Sequence, residues 1–181
     1  MTKRKILTAG LIAAALTAAG CGSNDNNNAK VAGSGVDRAF VAEMIPHHQS
    51  AVEMAKIAQQ RGSSPFVKTL ADNIIRSQQT EISTMRAEDG QLAADGIKPG
   101  DLGVAQGAMG MSMDTNSLKT TTPFDQAFVA MMLPHHTGAL VMAKAELAKG
   151  SDPELKQLAR QIISTQQREI AQMRDFQASA Q

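Results

Sequence analysis

Two pairs of adjacent histidines are the residues of this chain with the clearest capacity for chemistry. They lie in the segments MIPHHQSAVEMAK (44–56) and MLPHHTGALVMAK (132–144), and they include all four histidines of the chain. Methionines flank each pair. Imidazole nitrogen binds copper and zinc, whereas thioether sulfur suits Cu(I) and the similar Ag(I). The pattern therefore favours a metal site, with residues that merely fill a core as the alternative.

The mixed donor types decide which metal is expected. A His/Met set favours Cu(I) or Ag(I), and the imidazoles can also hold Cu(II). Zinc is the weaker candidate, because it has no use for thioethers and the chain has one cysteine. A di-iron centre would need a Glu-x-x-His motif on two helices. Glu43 precedes His47 by four residues and its counterpart is Met131, although Glu81 and Glu169 keep a ferritin-like oxidase open.

The pattern occurs twice because the sequence is duplicated. Residues 37–86 align with residues 125–174 without a gap, and just over half of the aligned positions are identical. Such self-similarity marks repeated structural units that pack together. The candidates that recur are Met44, His47, His48 and Met54 in the first copy, and Met132, His135, His136 and Met142 in the second.

Each copy contains two segments with helical periodicity, so the chain is predicted to be all-α, with four helices in two duplicated hairpins over residues 37–177. The first helices are expected to have Asp37 and Asp125 as N-caps. They are expected to end at Gly62 and Gly150. Expected starts and ends of the second helices are Ser64 and Asp152 as caps, Pro65 and Pro153 as first residues, and Met85 and Met173 or slightly beyond. Pro46 and Pro134 are expected to kink or restart the first helices.

The candidate ligands share one face of each predicted helix at 100° per residue. The second helices carry matching stripes, namely Ile74, Gln78, Glu81, Ile82 and Met85, and Ile162, Gln166, Glu169, Ile170 and Met173. A bundle turns such stripes inward. We therefore expect histidines, methionines, a Glu and a Gln from each copy to meet near the core.

A long linker, residues 87–122, joins the two hairpins. It is rich in Gly, Asp and Thr, and it contains MGMSMD, which places Met109, Met111 and Met113 at alternate positions. A connection of this length inside a compact bundle is often functional or disordered. The three linker methionines are therefore further candidates for a metal.

The N-terminus has the layout of an export signal. Residues 1–20 combine three basic residues, an apolar run and small residues before Cys21, as in a bacterial lipoprotein signal peptide. Cys21 is predicted to carry the lipid after cleavage, and residues 21–36 to form a flexible tether. The expected location is the outer face of the bacterial cytoplasmic membrane, or the periplasm. Cys21 is the only cysteine, so no internal disulfide can form.

The charge of the chain argues against some partners. Residues 1–20 hold three of the 18 basic residues and no acidic one, so the remaining 15 basic and 17 acidic residues give a net charge of about −2. This near-neutral chain gives no reason to expect nucleic acid, or a membrane contact beyond the lipid anchor. A metal-transfer partner and a homo-oligomer stay open. No nucleophile with a base and an orienting group is evident, so we expect binding rather than catalysis.

Around the two histidine pairs, the chain resembles the DUF305 family, whose members are built around FxxxMxxHHxxAxxMA. The motif stands here as FVAEMIPHHQSAVEMA from Phe40 and FVAMMLPHHTGALVMA from Phe128, followed by QQTEISTM and QQREIAQM. The resemblance covers nearly all of residues 37–176 and implies a ferritin-like four-helix bundle. Some members are implicated in copper binding and tolerance outside the cytoplasm. The resemblance thus implies a metal role for the recurring histidines and methionines and, with them, for Met85, Met173 and the linker methionines.

The expected function is binding of Cu(I) or Ag(I) by an exported, lipid-anchored protein, for copper buffering or tolerance. Two other classes stay open. One is a ferritin-like, metal-dependent oxidase that uses the Glu/His face. The other is a structural or interaction bundle, in which the histidines are hydrogen-bonded in the core or face a partner.

Overall fold

Four long helices account for most of the structure. The computed structural model describes residues 33–111 and 114–179, in which the regular elements are all helical. The helices are α1 (Gly35–Arg61), α2 (Pro65–Ala94), α3 (Phe124–Lys149) and α4 (Pro153–Ser179). Two short 3-10 turns, Gln106–Ala108 and Thr115–Lys119, lie in the connection between α2 and α3. The predicted all-α fold with four helices is confirmed. The predicted signal peptide, Cys21, the tether up to residue 32 and Met113 lie outside the described residues.

The first helix of each hairpin begins earlier than predicted. Ser34 is the N-cap of α1, which makes Asp37 the third helical residue. The backbone N–H of Ser34 donates to Asp37 Oδ2 at 2.6 Å. Pro123 precedes α3, which places Asp125 in the first turn. The prediction that Asp37 and Asp125 are N-caps is therefore wrong. Both carboxylates instead bind backbone groups of the opposite hairpin.

The second helices begin as predicted. Pro65 and Pro153 are their first residues. The side chains of Ser64 and Asp152 each accept a hydrogen bond from the backbone N–H three residues on, at 3.1 Å and 2.9 Å. These contacts satisfy N–H groups that have no partner inside a helix.

Helix α2 continues well beyond Met85, into the residues predicted as linker. Leu92 is 2% exposed and belongs to the apolar core. Asp89 Oδ1 accepts a hydrogen bond from Arg38 Nε at 2.7 Å, which ties this last part of α2 to α1. Burial of one side chain and pairing of another explain why the helix ends only at Ala94.

The internal prolines do not restart their helices. Both α1 and α3 run through Pro46 and Pro134 without interruption. Each proline lies on the exposed side of its helix. Because proline has no backbone N–H, the carbonyls of Ala42 and Ala130, four residues earlier, have no helical donor. These two alanines are exposed as well. Water can solvate these carbonyls, so the missing hydrogen bond does not break the helix.

The helix directions follow from contacts between the ends of α1 and α3. Asp37, near the start of α1, binds Ser151 after α3, and Asp125, at the start of α3, binds Ser63 after α1. Helices α1 and α3 pack against each other and are therefore antiparallel. Each also packs against the second helix of its own hairpin, while α2 contacts α4. Because α2 and α3 then run in the same direction, the connection between them must cross the length of the bundle.

The connection takes this course along α1 and α3. Gly100 N–H donates to Gly35 O at 2.7 Å, at the start of α1. At the other end of that helix, the Arg61 guanidinium donates to the carbonyls of Leu118 and Thr121. The linker therefore contacts the bundle at both ends of α1. None of the described helices is long and apolar enough to cross a membrane.

Candidate metal centre

Two histidines from different repeats face each other at the contact between α1 and α3. The ring centroids of His47 and His135 are 3.7 Å apart, with an angle of 35° between the ring planes. Their exposed fractions are 0% and 1%. The helix face predicted from the sequence is thus turned inward. The duplication places the same residue of each repeat on either side of the contact.

The second histidine of each pair contacts a carboxylate in its own hairpin. His48 Nε2 lies 2.6 Å from Glu81 Oε2, and His136 Nε2 lies 2.7 Å from Glu169 Oε2. An ionised carboxylate only accepts hydrogen bonds, so Nε2 is then the donor. A neutral imidazole in that state presents the lone pair of Nδ1. The two histidines of a pair therefore have different surroundings.

Several buried polar atoms around these histidines have no hydrogen-bond partner among the residues that the structure describes. They are both ring nitrogens of His47 and His135, the Nδ1 atoms of His48 and His136, and the side-chain amides of Gln78 and Gln166. We call these six residues, together with Glu81 and Glu169, the histidine layer. A buried polar group without a partner costs about 1–3 kcal/mol. The donors of the layer thus fit a ligand such as a metal ion, which would use the free lone pairs.

The facing histidines are held neutral by their surroundings. Burial lowers the pKa of His47 to about 3, and the neighbouring His48 and His136 lower it further. Burial likewise lowers the pKa of His135, with His47 as the next cause. Imidazole must be deprotonated to bind a metal. These two rings are therefore available as ligands at neutral pH without the release of a proton.

The buried methionines are divided between two parts of the apolar core that the duplication relates. The first methionine cluster, in one half of the apolar core, contains Met44, Met85, Met109 and Met142. The second methionine cluster, in the other half, contains Met54, Met132 and Met173. Apart from Met109 of the linker, each cluster thus combines two methionines of one repeat with one from the other. Along α1, Met44 of the first cluster precedes the histidine pair and Met54 of the second follows it. Along α3 the order of the clusters is reversed, and this helix is antiparallel to α1. The histidine layer therefore separates the two clusters.

The linker methionines do not share one environment. Met109 is 3% exposed and lies in the first methionine cluster, while Met111 is 39% exposed. Met113 is outside the described residues. Met131, which replaces a glutamate of the first repeat, is partly buried at the margin of the second cluster. The sequence distinguishes Met131 from the recurring methionines, but it does not distinguish Met109 from Met111.

The described residues include no group of three or more His, Cys, Asp or Glu side chains arranged to hold a metal. A site of three or more side-chain ligands drawn from these residues would therefore have to include sulfur or amide donors. Among the described residues, the buried side chains with such donors are the core methionines, Gln78 and Gln166. This donor set is soft or weakly basic, which suits Cu(I) and Ag(I) better than zinc or iron.

Sequence reasoning placed Glu81, Gln78 and their counterparts on the inward stripe, and it gave the two glutamates a role only in the alternative oxidase. Glu81 and Glu169 now stand out as the partners of the second histidines. The signal was their recurrence at matching positions of the repeats. Glu146, by contrast, was missed. It is fully buried where the first repeat has Ala58, and its carboxyl group lies next to that of Asp37.

The fold and the site define a class of protein, namely a duplicated four-helix protein with a buried histidine layer between two methionine clusters. A family model described as "Domain of unknown function (DUF305)" matches residues 18–89 and 37–177. The chain therefore belongs to the DUF305 family.

Solved structures of similar proteins share this fold. CopM in its Cu(I)-bound form is 35% identical, with a TM-score of 0.66, over 79% of this chain and 96% of that chain. The Ag-bound form obtained by soaking gives 34% identity and a TM-score of 0.67, over 79% and 95%. A DUF305 fragment from Deinococcus radiodurans is 30% identical, with a TM-score of 0.64, over 78% and 94%.

One curated relative matches a shorter part of the chain. The uncharacterized protein L153 of Acanthamoeba polyphaga mimivirus is 43% identical over 51 residues, or 28% of this chain. The matched region spans about a third of that relative, 34% of its length.

Proposed function

We propose that this protein binds Cu(I) or Ag(I) as cargo inside its helical bundle, and that it buffers the metal or passes it on. The histidine layer and the methionine clusters supply the ligands. Cu(II) would use the imidazoles. The protein acts outside the cytoplasm, held by a lipid on Cys21.

One observation carries this proposal. Imidazole nitrogens with no hydrogen-bond partner in the described part of the chain lie fully buried between two groups of buried methionines. A core built only for stability would pair such nitrogens or replace them with apolar groups. The similarity to CopM, solved with Cu(I) and with Ag, supports the same class of cargo here.

A metal-dependent oxidase is the second candidate, because Glu81 and Glu169 bring carboxylates into the histidine layer. The two functions differ in turnover. Continued oxygen consumption after addition of excess Cu(I) or Fe(II) would support the oxidase. Metal uptake without oxygen consumption would dismiss it.

The binding proposal is tested by competition for Cu(I) with a chromophoric chelator. The purified protein should carry Cys21→Ser, so that a free thiol does not contribute. We expect the protein to withdraw Cu(I) from the chelator. Replacing all four histidines by alanine should weaken binding at least about tenfold, since even the loss of groups behind a ligand costs roughly 10- to 100-fold.

A second variant separates the contribution of the thioethers. Leucine at the six methionines of the two clusters that recur between the repeats keeps the core apolar while it removes sulfur. We expect this variant also to lose Cu(I) affinity. If both variants are folded by circular dichroism and bind Cu(I) as tightly as the Cys21→Ser protein, the proposed site is wrong. No binding by the parent protein would favour the interaction bundle.

A further inference from the structure

The two methionine clusters differ in one respect that the duplication does not explain. The first cluster contains Met109, which comes from the linker, and the second cluster has no counterpart of it among residues 33–111 and 114–179. Met131 lies near the second cluster, but it is only partly buried and is adjacent to Met132. Neighbouring residues of a helix point about 100° apart. Met131 therefore does not share the inward direction of Met132.

A glycine of α3 allows the linker to reach this position. A Cβ atom built on Gly138 would lie 1.9 Å from the carbonyl oxygen of Met109, a distance that no side chain tolerates. The equivalent residue of the first repeat is Ser50. The duplicated sequence thus changes at the point where the linker backbone touches a helix.

The linker turns sharply at the same place. Gly110 has a φ of +70°, a conformation that side chains disfavour. Its Cβ would lie 2.5 Å from the carbonyl oxygen of Pro134. Two glycines, one on each side of the contact, are therefore needed to bring Met109 into the core while Met111 remains at the surface.

From this geometry we propose that Met109 makes the two clusters unequal, so that the first methionine cluster is the tighter site for a soft monovalent cation. This inference rests on the proposed function. Each cluster has three buried thioethers at positions that recur between the repeats, and Met109 gives the first cluster a fourth. Each further soft donor favours Cu(I) or Ag(I). Met111, exposed two residues from Met109, supplies a sulfur at the surface next to this cluster.

The experiment is an Ag(I) titration of the full chain with Cys21→Ser and ¹³C-labelled methionine methyl groups, followed by NMR. Single Met→Leu variants assign the signals. We expect the signals of the first cluster, including Met109, to shift at lower Ag(I) than those of Met54, Met132 and Met173. If the repeat-equivalent methionines shift together, if the second cluster shifts first, or if Met109 does not move, the inference is overturned while metal binding stands. If no methionine shifts, the proposed function fails as well.

Two variants test the cause of the difference. Met109→Leu removes the sulfur and keeps the buried apolar volume, so the first cluster should lose at least about tenfold in Ag(I) affinity. Gly138→Ala should have the same effect by displacing the linker, although alanine favours the helix itself. Gly107→Ala is the matched control, because nothing lies within 4 Å of its added Cβ. The inference would be contradicted if the first cluster bound Ag(I) with the same affinity in Met109→Leu, Gly138→Ala and the Gly107→Ala control.

Discussion

At the scale of single residues, the adjacent histidines have different environments. His47 meets its counterpart in the other repeat, while His48 contacts Glu81 of its own hairpin. The roughly 100° between neighbouring residues of a helix separates them. A carboxylate behind an imidazole fixes its tautomer and orientation and raises its basicity as a ligand. We therefore treat Glu81 and Glu169 as residues that position His48 and His136.

Conversion of both glutamates to glutamine tests this positioning role. The Glu81→Gln, Glu169→Gln variant keeps the side-chain shape but removes the charged acceptor. We expect Cu(I) affinity to fall roughly 10- to 100-fold. Competition with a chelator measures this loss, and a thermal melt without metal reports any change in folding.

The control for this variant is Glu53→Gln, which changes an exposed glutamate of α1. The control should bind Cu(I) as the parent does. Unchanged affinity of the Glu81→Gln, Glu169→Gln variant would contradict the positioning role. A drop in melting temperature with unchanged affinity would assign these glutamates to stability alone.

The recurring positions made the site residues predictable, because a residue kept in both copies stands out from variable neighbours. The histidine and methionine positions on the inward face followed from helical periodicity alone. Which histidine meets a carboxylate did not follow, since it depends on which helices are neighbours and how they are rotated. Met109 was also not distinguishable, because its burial depends on Gly138 in another element.

At the scale of elements, each repeat holds the turn of the other. Asp37 accepts hydrogen bonds from the backbone N–H groups of Ser151 and Asp152, at 2.9 Å and 2.8 Å. Asp125 accepts the equivalent bonds from Ser63 and Ser64, at 3.0 Å and 2.8 Å. Burial alone would raise the pKa of Asp37, but the hydrogen bonds that it accepts outweigh burial and lower it. These contacts fix α1 and α3 antiparallel, which brings His47 to His135.

Glu146 breaks the symmetry of these two contacts and makes one of them sensitive to pH. Burial raises its pKa to about 8, with Asp37 as the next cause. Asp152 raises this pKa further, whereas Lys156 lowers it. The folded state thus keeps a proton on Glu146 that the unfolded chain releases near its ordinary pKa of 4.5. Unfolding then releases a proton, so stability should fall as pH rises from about 4.5 to about 8.

We expect Glu146→Gln to remove this part of the pH dependence, because the amide does not ionise. The slope that it removes is at most about 1.4 kcal/mol per pH unit. Urea unfolding between pH 5 and pH 8 measures it, with Glu53→Gln as the control that keeps the slope. The same loss of stability over this range in Glu146→Gln as in the parent would show that Glu146 is not its source.

At the scale of the whole molecule, the duplication builds a bundle whose two hairpins meet at the histidine layer. Helical periodicity and the caps of α2 and α4 were sufficient to predict four helices. The starts of α1 and α3 were not predictable, because Asp37 and Asp125 bind residues far away in sequence. The end of α2 was missed for the same reason, since Asp89 pairs with Arg38 of another helix. The linker is long because α2 and α3 run in the same direction, a feature that only tertiary contacts reveal.

The proposed function requires that the bundle interior binds a soft metal between the histidine layer and the methionine clusters. Anomalous diffraction from crystals grown with Ag(I) tests it most directly. We expect anomalous peaks inside the bundle, with imidazole nitrogen of the histidine layer or thioether sulfur of the methionine clusters as ligands. Silver confined to surface positions such as Met111, with the buried histidines and methionines unliganded, would contradict it.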